Sequence, residues 1–113
     1  MISKIEKVLV DQSMSRFCDM RVPAHIRDKV RLIYRWRGSS VTLFETRPYF
    51  QDPKRWTECP VAQFRYNATN KRWVLYCANR NGRWFLYDEA KPATSIQTLL
   101  DEVNRDPTHI FWG

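Results

Sequence analysis

Glycine is scarce in this sequence, with three among 113 residues, and this scarcity excludes the common nucleotide-binding loops. A P-loop or a dinucleotide fingerprint needs clustered glycines so that the backbone can approach the phosphates. Histidine is scarcer still: His25 and His109 lie in or beside proline turns, and no motif places a nucleophile near either ring. We therefore predict no catalytic residues and no cofactor, and we expect a protein that is not an enzyme.

Cysteine is also sparse, and its pattern excludes the usual metal sites. The three residues Cys18, Cys59 and Cys77 are odd in number, and their spacing matches no zinc-binding motif. Thiols in such a pattern are typical of free, mostly buried cysteines in a reducing compartment. We predict no metal site and no disulfide.

Long apolar runs are missing as well. No stretch reaches the roughly eighteen apolar residues that a membrane-spanning helix needs, so we expect no membrane partner. Lys4, Glu6 and Lys7 interrupt the apolar positions near the start, which excludes the core of a signal peptide there. A cytoplasmic location is the expectation that follows.

A helix is predicted near each end of the chain. Ser3 with Glu6, and Thr94 with Gln97, have the spacing of a capping box. We predict the first helix over about residues 4–19, because Pro23 stops it. The second helix ends at Pro107 and presents one apolar stripe, which comprises Ile96, Leu99, Leu100 and Val103.

Alternating residues predict five strands between these helices, at about residues 29–37, 40–46, 61–67, 72–79 and 83–88. Gly38–Ser39 and Asn81–Gly82 are read as two-residue hairpin turns. The first turn places Trp36 opposite Val41, and the second places Cys77 opposite Leu86. Residues 47–60 contain three prolines, so we predict a long loop there, packed down by its aromatic side chains.

These elements predict an α+β fold formed by residues 1–113 as a single domain. It is a two-layer structure: a five-stranded antiparallel sheet, made of a hairpin plus a three-stranded meander, with the N-terminal and C-terminal helices on one face. The apolar face beneath the helices is predicted to comprise Val30, Leu32, Tyr34, Trp36, Val41, Leu43, Phe64, Tyr66, Trp73, Leu75, Trp84 and Leu86.

The other face of the predicted sheet collects much of the positive charge of a chain whose formal net charge is +7. Cationic grooves and aromatic rings bind single-stranded nucleic acid, and the same residue types are enriched at protein interfaces, including those between identical subunits. In a solvated face, arginine stems cover apolar surface instead. The predicted basic face comprises Arg31, Arg35, Arg37, Arg65, Arg72, Arg83, Phe44, Tyr76, Phe85 and Tyr87.

Two carboxylates are predicted on the apolar face, where burial is costly unless the charge is paired. Glu45 falls opposite Leu32, and Asp88 falls opposite Leu75. Two alternatives would avoid this cost. Either both carboxylates lie just past the edge of the core, or Glu45 pairs with an arginine such as Arg47 or Arg27. The alternative function is a small-molecule or enzymatic pocket at the proline-rich loop and strand ends, lined by His25, Arg27, Glu45, Arg47, Trp56 and Glu58.

Several strings resemble a family of small bacterial proteins, the family of domain of unknown function 3024. The strings are RVPAHIRD at 21–28, VTLFETRP at 41–48, WTECPVAQFRY at 56–66 and the closing DPTHIFWG at 106–113. The resemblance covers nearly the whole chain and implies a stand-alone domain, but no activity, cofactor or catalytic set. It gives weight to the polar and aromatic members of those strings, namely His25, Arg27, Asp28, Glu45, Arg47, Trp56, Glu58 and Arg65.

The function predicted from these observations is a binding or interaction module that uses the basic, aromatic sheet face. Its partner is another protein, a second copy of the chain, or nucleic acid. The sequence alone leaves these three open.

Overall fold

The structure is a computed structural model that describes residues 2–112. Among these residues, no helix combines the length and the apolar character that crossing a membrane requires. The helices are α1 (Lys4–Arg21) and α2 (Ile96–Arg105), and a short 3-10 turn covers Ala24–Ile26. The strands are β1 (Arg31–Arg37), β2 (Ser40–Tyr49), β3 (Asp52–Asn67), β4 (Arg72–Ala78) and β5 (Trp84–Leu86).

The five strands form one antiparallel sheet in the order β1-β2-β3-β4-β5, so every neighbour in the sheet is also a neighbour in sequence. The two helices lie at the N-terminal and C-terminal ends of the chain, and the α+β prediction is confirmed. The expected hairpin and meander are joined into one continuous five-stranded meander, because the segment between them is itself paired.

Both helices begin at serine caps and pack on the same face of the sheet. The Ser3 hydroxyl accepts a hydrogen bond from the Glu6 backbone at 3.1 Å, and the Ser95 hydroxyl accepts one from Gln97 at 3.2 Å. The second helix therefore begins one residue later than the Thr94 cap predicts. The core between helices and sheet includes Met14, Leu43, Phe64, Trp73, Leu75, Leu99 and Leu100, none of them more than 1% exposed.

The register of the first hairpin is as predicted. Trp36 pairs with Val41 and Leu32 pairs with Glu45. Gly38 has a φ of 59°, the left-handed conformation that this tight turn needs and that glycine adopts without strain.

The register of the second hairpin differs from the prediction by one residue. Cys77 pairs with Phe85 instead of Leu86. The cause is a loop of three residues instead of two: the Asn79 backbone donates to the Arg83 carbonyl at 2.9 Å, and Gly82 has a φ of 76°. Because side chains alternate along a strand, this shift exchanges the two faces of β5.

The predicted loop over residues 47–60 is wrong, because this segment is a long β-hairpin. β2 continues to Tyr49, and β3 begins at Asp52, so the connection is Phe50–Gln51. β1 pairs with β2 only as far as Thr46, and β4 pairs with β3 only from Ala62 onward. Residues 47–57 thus form a two-stranded ribbon with no third strand beside it, which we call the arm.

Candidate functional site

One face of the sheet has no covering layer within residues 2–112. Both helices pack on the side that carries Leu43, Phe64 and Leu75, and alternation sends the neighbouring residues to the opposite side. We call that opposite side the open face. Its residues are Arg31, Ile33, Arg35, Arg37, Thr42, Phe44, Thr46, Trp56, Glu58, Gln63, Arg65, Arg72, Val74, Tyr76, Trp84 and Leu86.

Arginine guanidinium groups lie over aromatic rings at three positions on the open face. Such stacking contributes about 0.5–1 kcal/mol at exposed sites, and it holds a long side chain flat against the sheet. The distances from the guanidinium carbon to the ring centroid are 4.4 Å for Arg31 on Trp56, 5.2 Å for Arg35 on Phe44 and 3.8 Å for Arg65 on Tyr76.

Hydrogen bonds fix two of these arginines further. Arg65 Nε donates to the Gln63 side-chain oxygen at 2.6 Å, and Gln63 in turn donates to the Thr42 hydroxyl at 2.9 Å. Arg31 Nε donates to the Arg27 backbone carbonyl at 2.8 Å. The terminal guanidinium nitrogens of Arg31 and Arg65 are therefore positioned by the fold before any partner arrives.

Among the residues named above for the open face, Glu58 is the one that carries a carboxylate. It pairs with Arg35. The two side chains form two hydrogen bonds, one from Arg35 Nη1 to Glu58 Oε1 at 2.6 Å and one from Nη2 to Oε2. The bonds from Arg35 lower the pKa of Glu58. The same bonds raise the pKa of Arg35, so both groups stay ionised at neutral pH.

The remaining charge of the open face is positive. Arg37 and Arg72 are exposed, and within the described part of the chain neither makes an ion pair. Five arginines therefore face one carboxylate on this surface. The other acidic side chains lie in the helices, in the turns or on the covered side of the sheet, as Asp11, Asp19, Asp101 and Glu102 do.

Three members of the predicted basic face lie elsewhere. The one-residue shift in the second hairpin places Phe85 and Tyr87 on the covered side, where Tyr87 is 3% exposed and packs against Phe111 at 5.0 Å. Arg83 lies in the turn before β5. Trp84 and Leu86 take the open positions instead, so their predicted placement on the apolar face is also wrong.

The residues of the predicted pocket do not meet at one site. Glu45 lies on the covered side, where its carboxylate accepts a hydrogen bond from Arg47 Nε at 2.9 Å, whereas Trp56 and Glu58 belong to the open face. A bulge opposite Leu43 and Phe44 adds Val61 to β3 and reverses the alternation beyond it. Sequence alternation alone could not show this reversal.

The other pocket residues are similarly dispersed. His25 is exposed in the short 3-10 turn, and Arg27 donates to the Val22 and Asp19 carbonyls at 3.2 Å each. Asp88 is exposed beyond the end of β5, and the prediction that it lies opposite Leu75 on the apolar face is wrong.

Glu45 and Arg47 border a cavity of about 220 Å³ beneath the base of the arm. Apolar side chains and Arg21 form the rest of its wall, and the Arg21 guanidinium lies 3.9 Å from the ring centre of Trp112. Because Arg47 already neutralises the Glu45 carboxylate, this cavity presents no unpaired acid or base from that pair. It gives the predicted pocket little chemical support.

The three thiols differ in their exposure to solvent. Burial raises the pKa of Cys18 to about 11, with the neighbouring Asp19 charge adding to the effect, and burial also raises the pKa of Cys77. Cys59 is exposed at the base of the arm. Across residues 2–112, no three histidine, cysteine or acidic side chains come together in a group that could hold a metal ion.

The fold and the open face together define a two-layer α+β protein with one exposed, arginine-rich sheet surface. A family model described as Domain of unknown function (DUF3024) matches residues 2–113. The chain therefore belongs to that family, and the resemblance seen in its sequence strings is confirmed. No curated protein and no solved structure matches the chain.

Proposed function

We propose that the chain is a binding protein that holds single-stranded nucleic acid on its open face. The observation that carries the proposal is the set of guanidinium groups stacked on aromatic rings across an uncovered, positively charged sheet. Single strands are bound by cations that contact phosphates and by flat side chains on which bases stack. The open face offers both in one surface.

The charge of the open face supports nucleic acid over a second copy of the chain. A symmetric dimer through this face would bring five arginines of each copy together, with one carboxylate on each side to offset them. Like charges brought together across an interface cost several kcal/mol. When the arginines bind a phosphate backbone instead, they replace cations condensed on the nucleic acid, and the release of those cations favours the complex.

The spacing of the arginines suits an extended strand. Arg31 lies on β1 and Arg72 on β4, about 15 Å apart across the sheet, and the strand register separates them by roughly a further 25 Å along the strands. Arg35, on β1, and Arg65, on β3, lie between these two ends. A diagonal path of roughly 30 Å accommodates several nucleotides, with phosphates along the arginines and bases against the stacked pairs.

The test is fluorescence anisotropy with a labelled single-stranded DNA or RNA of about twenty nucleotides. We expect affinity to fall steeply between about 50 mM and 200 mM salt, with a slope of about −0.7 per phosphate contact. Arg65→Ala should weaken binding about ten-fold, because it removes a cation together with the guanidinium plane that is stacked on Tyr76. Arg16→Ala removes the same charge from an exposed position on α1 and should change affinity less than two-fold.

Three results would overturn the proposal. The first is the absence of binding at low salt. The second is a dimer in light scattering that Arg65→Ala dissociates, since that result would assign the open face to self-association. The third is an equal loss of affinity in Arg65→Ala and Arg16→Ala, which would show that binding depends on overall charge and not on this surface.

A further inference from the structure

The arm offers a second surface whose chemistry differs from that of the open face. It is the two-stranded end of a molecule whose longest dimension is 46 Å. Phe50, at the tip, is 82% exposed, although exposing so large an apolar ring to water is unfavourable. Single exposed apolar side chains are common on protein surfaces, but this ring stands at the tip of a ribbon that no third strand supports, with cationic side chains around it.

The tip ring is held in place by its neighbours. Tyr49 meets Phe50 edge-on, with ring centres 5.1 Å apart, and the Arg55 guanidinium lies 5.8 Å from the Tyr49 ring centre. The Asp52 carboxylate accepts a hydrogen bond from the Lys54 backbone at 3.3 Å and shapes the turn. The tip therefore presents an aromatic wedge that contacts one neighbouring ring.

Cations surround this wedge. Arg55 and Lys54 are exposed, and neither makes an ion pair with any residue in the described range 2–112. An apolar side chain flanked by cations is the arrangement with which proteins insert between base steps of a duplex while binding the adjacent phosphates. A two-stranded ribbon is also narrow enough to enter a major groove.

The arm is continuous with the open face through Trp56. This residue belongs to the arm, yet its ring is covered by Arg31 of β1, the edge strand of the sheet. A strand lying on the open face would therefore be led toward the arm. A duplex that begins where this strand ends would meet Phe50.

We propose that the ligand is a junction between a single strand and a duplex, with Phe50 inserted at the first base step of the duplex. This inference rests on the proposed function, because the single-stranded tail must occupy the open face. The junction fits both surfaces. Its single-stranded tail offers bases and phosphates to the stacked arginines, and its duplex end offers a base step into which the Phe50 ring can insert.

The experiment uses a DNA hairpin with a single-stranded tail and 2-aminopurine at the first paired position. Insertion of the ring would unstack this base, so we expect its fluorescence to rise when the wild-type chain binds. We also expect the junction to bind about ten-fold more tightly than the tail alone. Phe50→Ala should abolish the rise and the preference while keeping affinity for the tail, and Phe50→Leu should retain both, because leucine also serves as an apolar wedge between base steps.

Met20→Ala is the matched control, because Met20 is 76% exposed on α1, a helix of the covered side. It should behave as wild type. If Phe50→Ala keeps the fluorescence rise, or if wild type shows no preference for the junction, the inference is wrong and the proposed function stands. If wild type binds neither the junction nor the tail, the proposed function fails and the inference fails with it.

Discussion

The covered and open faces of the sheet are both rich in aromatic residues, but the rings have different partners. On the covered face, Trp73 lies between Trp36 and Tyr66, with ring centres 6.4 and 5.1 Å away. On the open face, the rings of Phe44 and Tyr76 are paired with arginines. Rings buried against other rings stabilise the fold, whereas rings paired with arginines on the open face leave the positive charge exposed to solvent.

The largest expected difference between the faces is in stability. Trp73→Ala should lower the free energy of unfolding by about 3–5 kcal/mol, because the ring is fully buried and a cavity would remain. Tyr76→Ala on the open face should cost less, about 1–2 kcal/mol, because the half-buried ring loses some apolar contact and one stacking pair. Denaturant unfolding followed by circular dichroism measures both. Trp73→Phe provides a milder variant if the alanine variant does not fold, and equal losses at the two positions would contradict the comparison.

A second, smaller effect concerns Tyr87, which belongs to the covered face. Burial, together with the hydrogen bond that Tyr87 donates to Glu102 at 2.7 Å, raises the pKa of Tyr87 to about 12 from 10.0. The folded state therefore keeps a proton that the unfolded state loses, so stability should fall as the pH rises from 10 to about 12.

Tyr87→Phe tests this alkaline dependence. The variant should lose about 1 kcal/mol at neutral pH with its hydrogen bond, and its stability should fall less steeply between pH 10 and 12. Denaturant unfolding at a series of pH values gives both quantities. If the free energy of unfolding of Tyr87→Phe fell as steeply as that of wild type between pH 10 and 12, groups other than Tyr87 would cause the pH dependence.

The smallest expected effect is on the open face, and it is a gain in nucleic-acid affinity, whereas the effects above are losses of stability. Glu58→Gln removes the carboxylate that pairs with Arg35, so the face gains one net positive charge and a freed guanidinium. We expect nucleic-acid affinity to rise about two- to five-fold, with a salt slope steeper by about 0.7. Anisotropy measures the change, and Glu102→Gln on α2 is the control. Weaker binding by Glu58→Gln would show that the pair positions Arg35 instead of competing for it.

The two hairpins show what a sequence can predict about register. The Gly38 turn has two central residues, so alternation on its two strands determined each pairing correctly. In the second hairpin, Asn79 closes the loop: its side-chain oxygen accepts hydrogen bonds from the Asn81 and Arg83 backbones at 2.9 and 3.0 Å. Glycine at the third position of a three-residue loop is the available signal, but Asn81–Gly82 fits a two-residue turn equally well.

The arm could not be predicted by the same reasoning, because its prolines resemble a loop. Proline is excluded from central strands, but it is tolerated on an edge, where no neighbour needs its missing donor. Pro48 lies opposite Trp56 and Pro60 lies opposite Phe44, each on a strand with one free side. The candidate site was accordingly predicted in part: the five open-face arginines were identified, whereas the partners of Glu58 and Trp56 depended on the bulge at Val61.

The prolines of the arm also determine how it can recognise another molecule. An unprotected ribbon edge invites a foreign strand to add to the sheet through backbone hydrogen bonds. Pro48 interrupts one outer edge of the arm, and Pro53 interrupts the other, so an added strand would find gaps in the ladder on both sides. Pro60 interrupts the same edge of β3 just beyond the arm. The arm is therefore a poor template for β-augmentation or fibril growth. Contacts of the arm with another molecule depend on its side chains instead of its backbone.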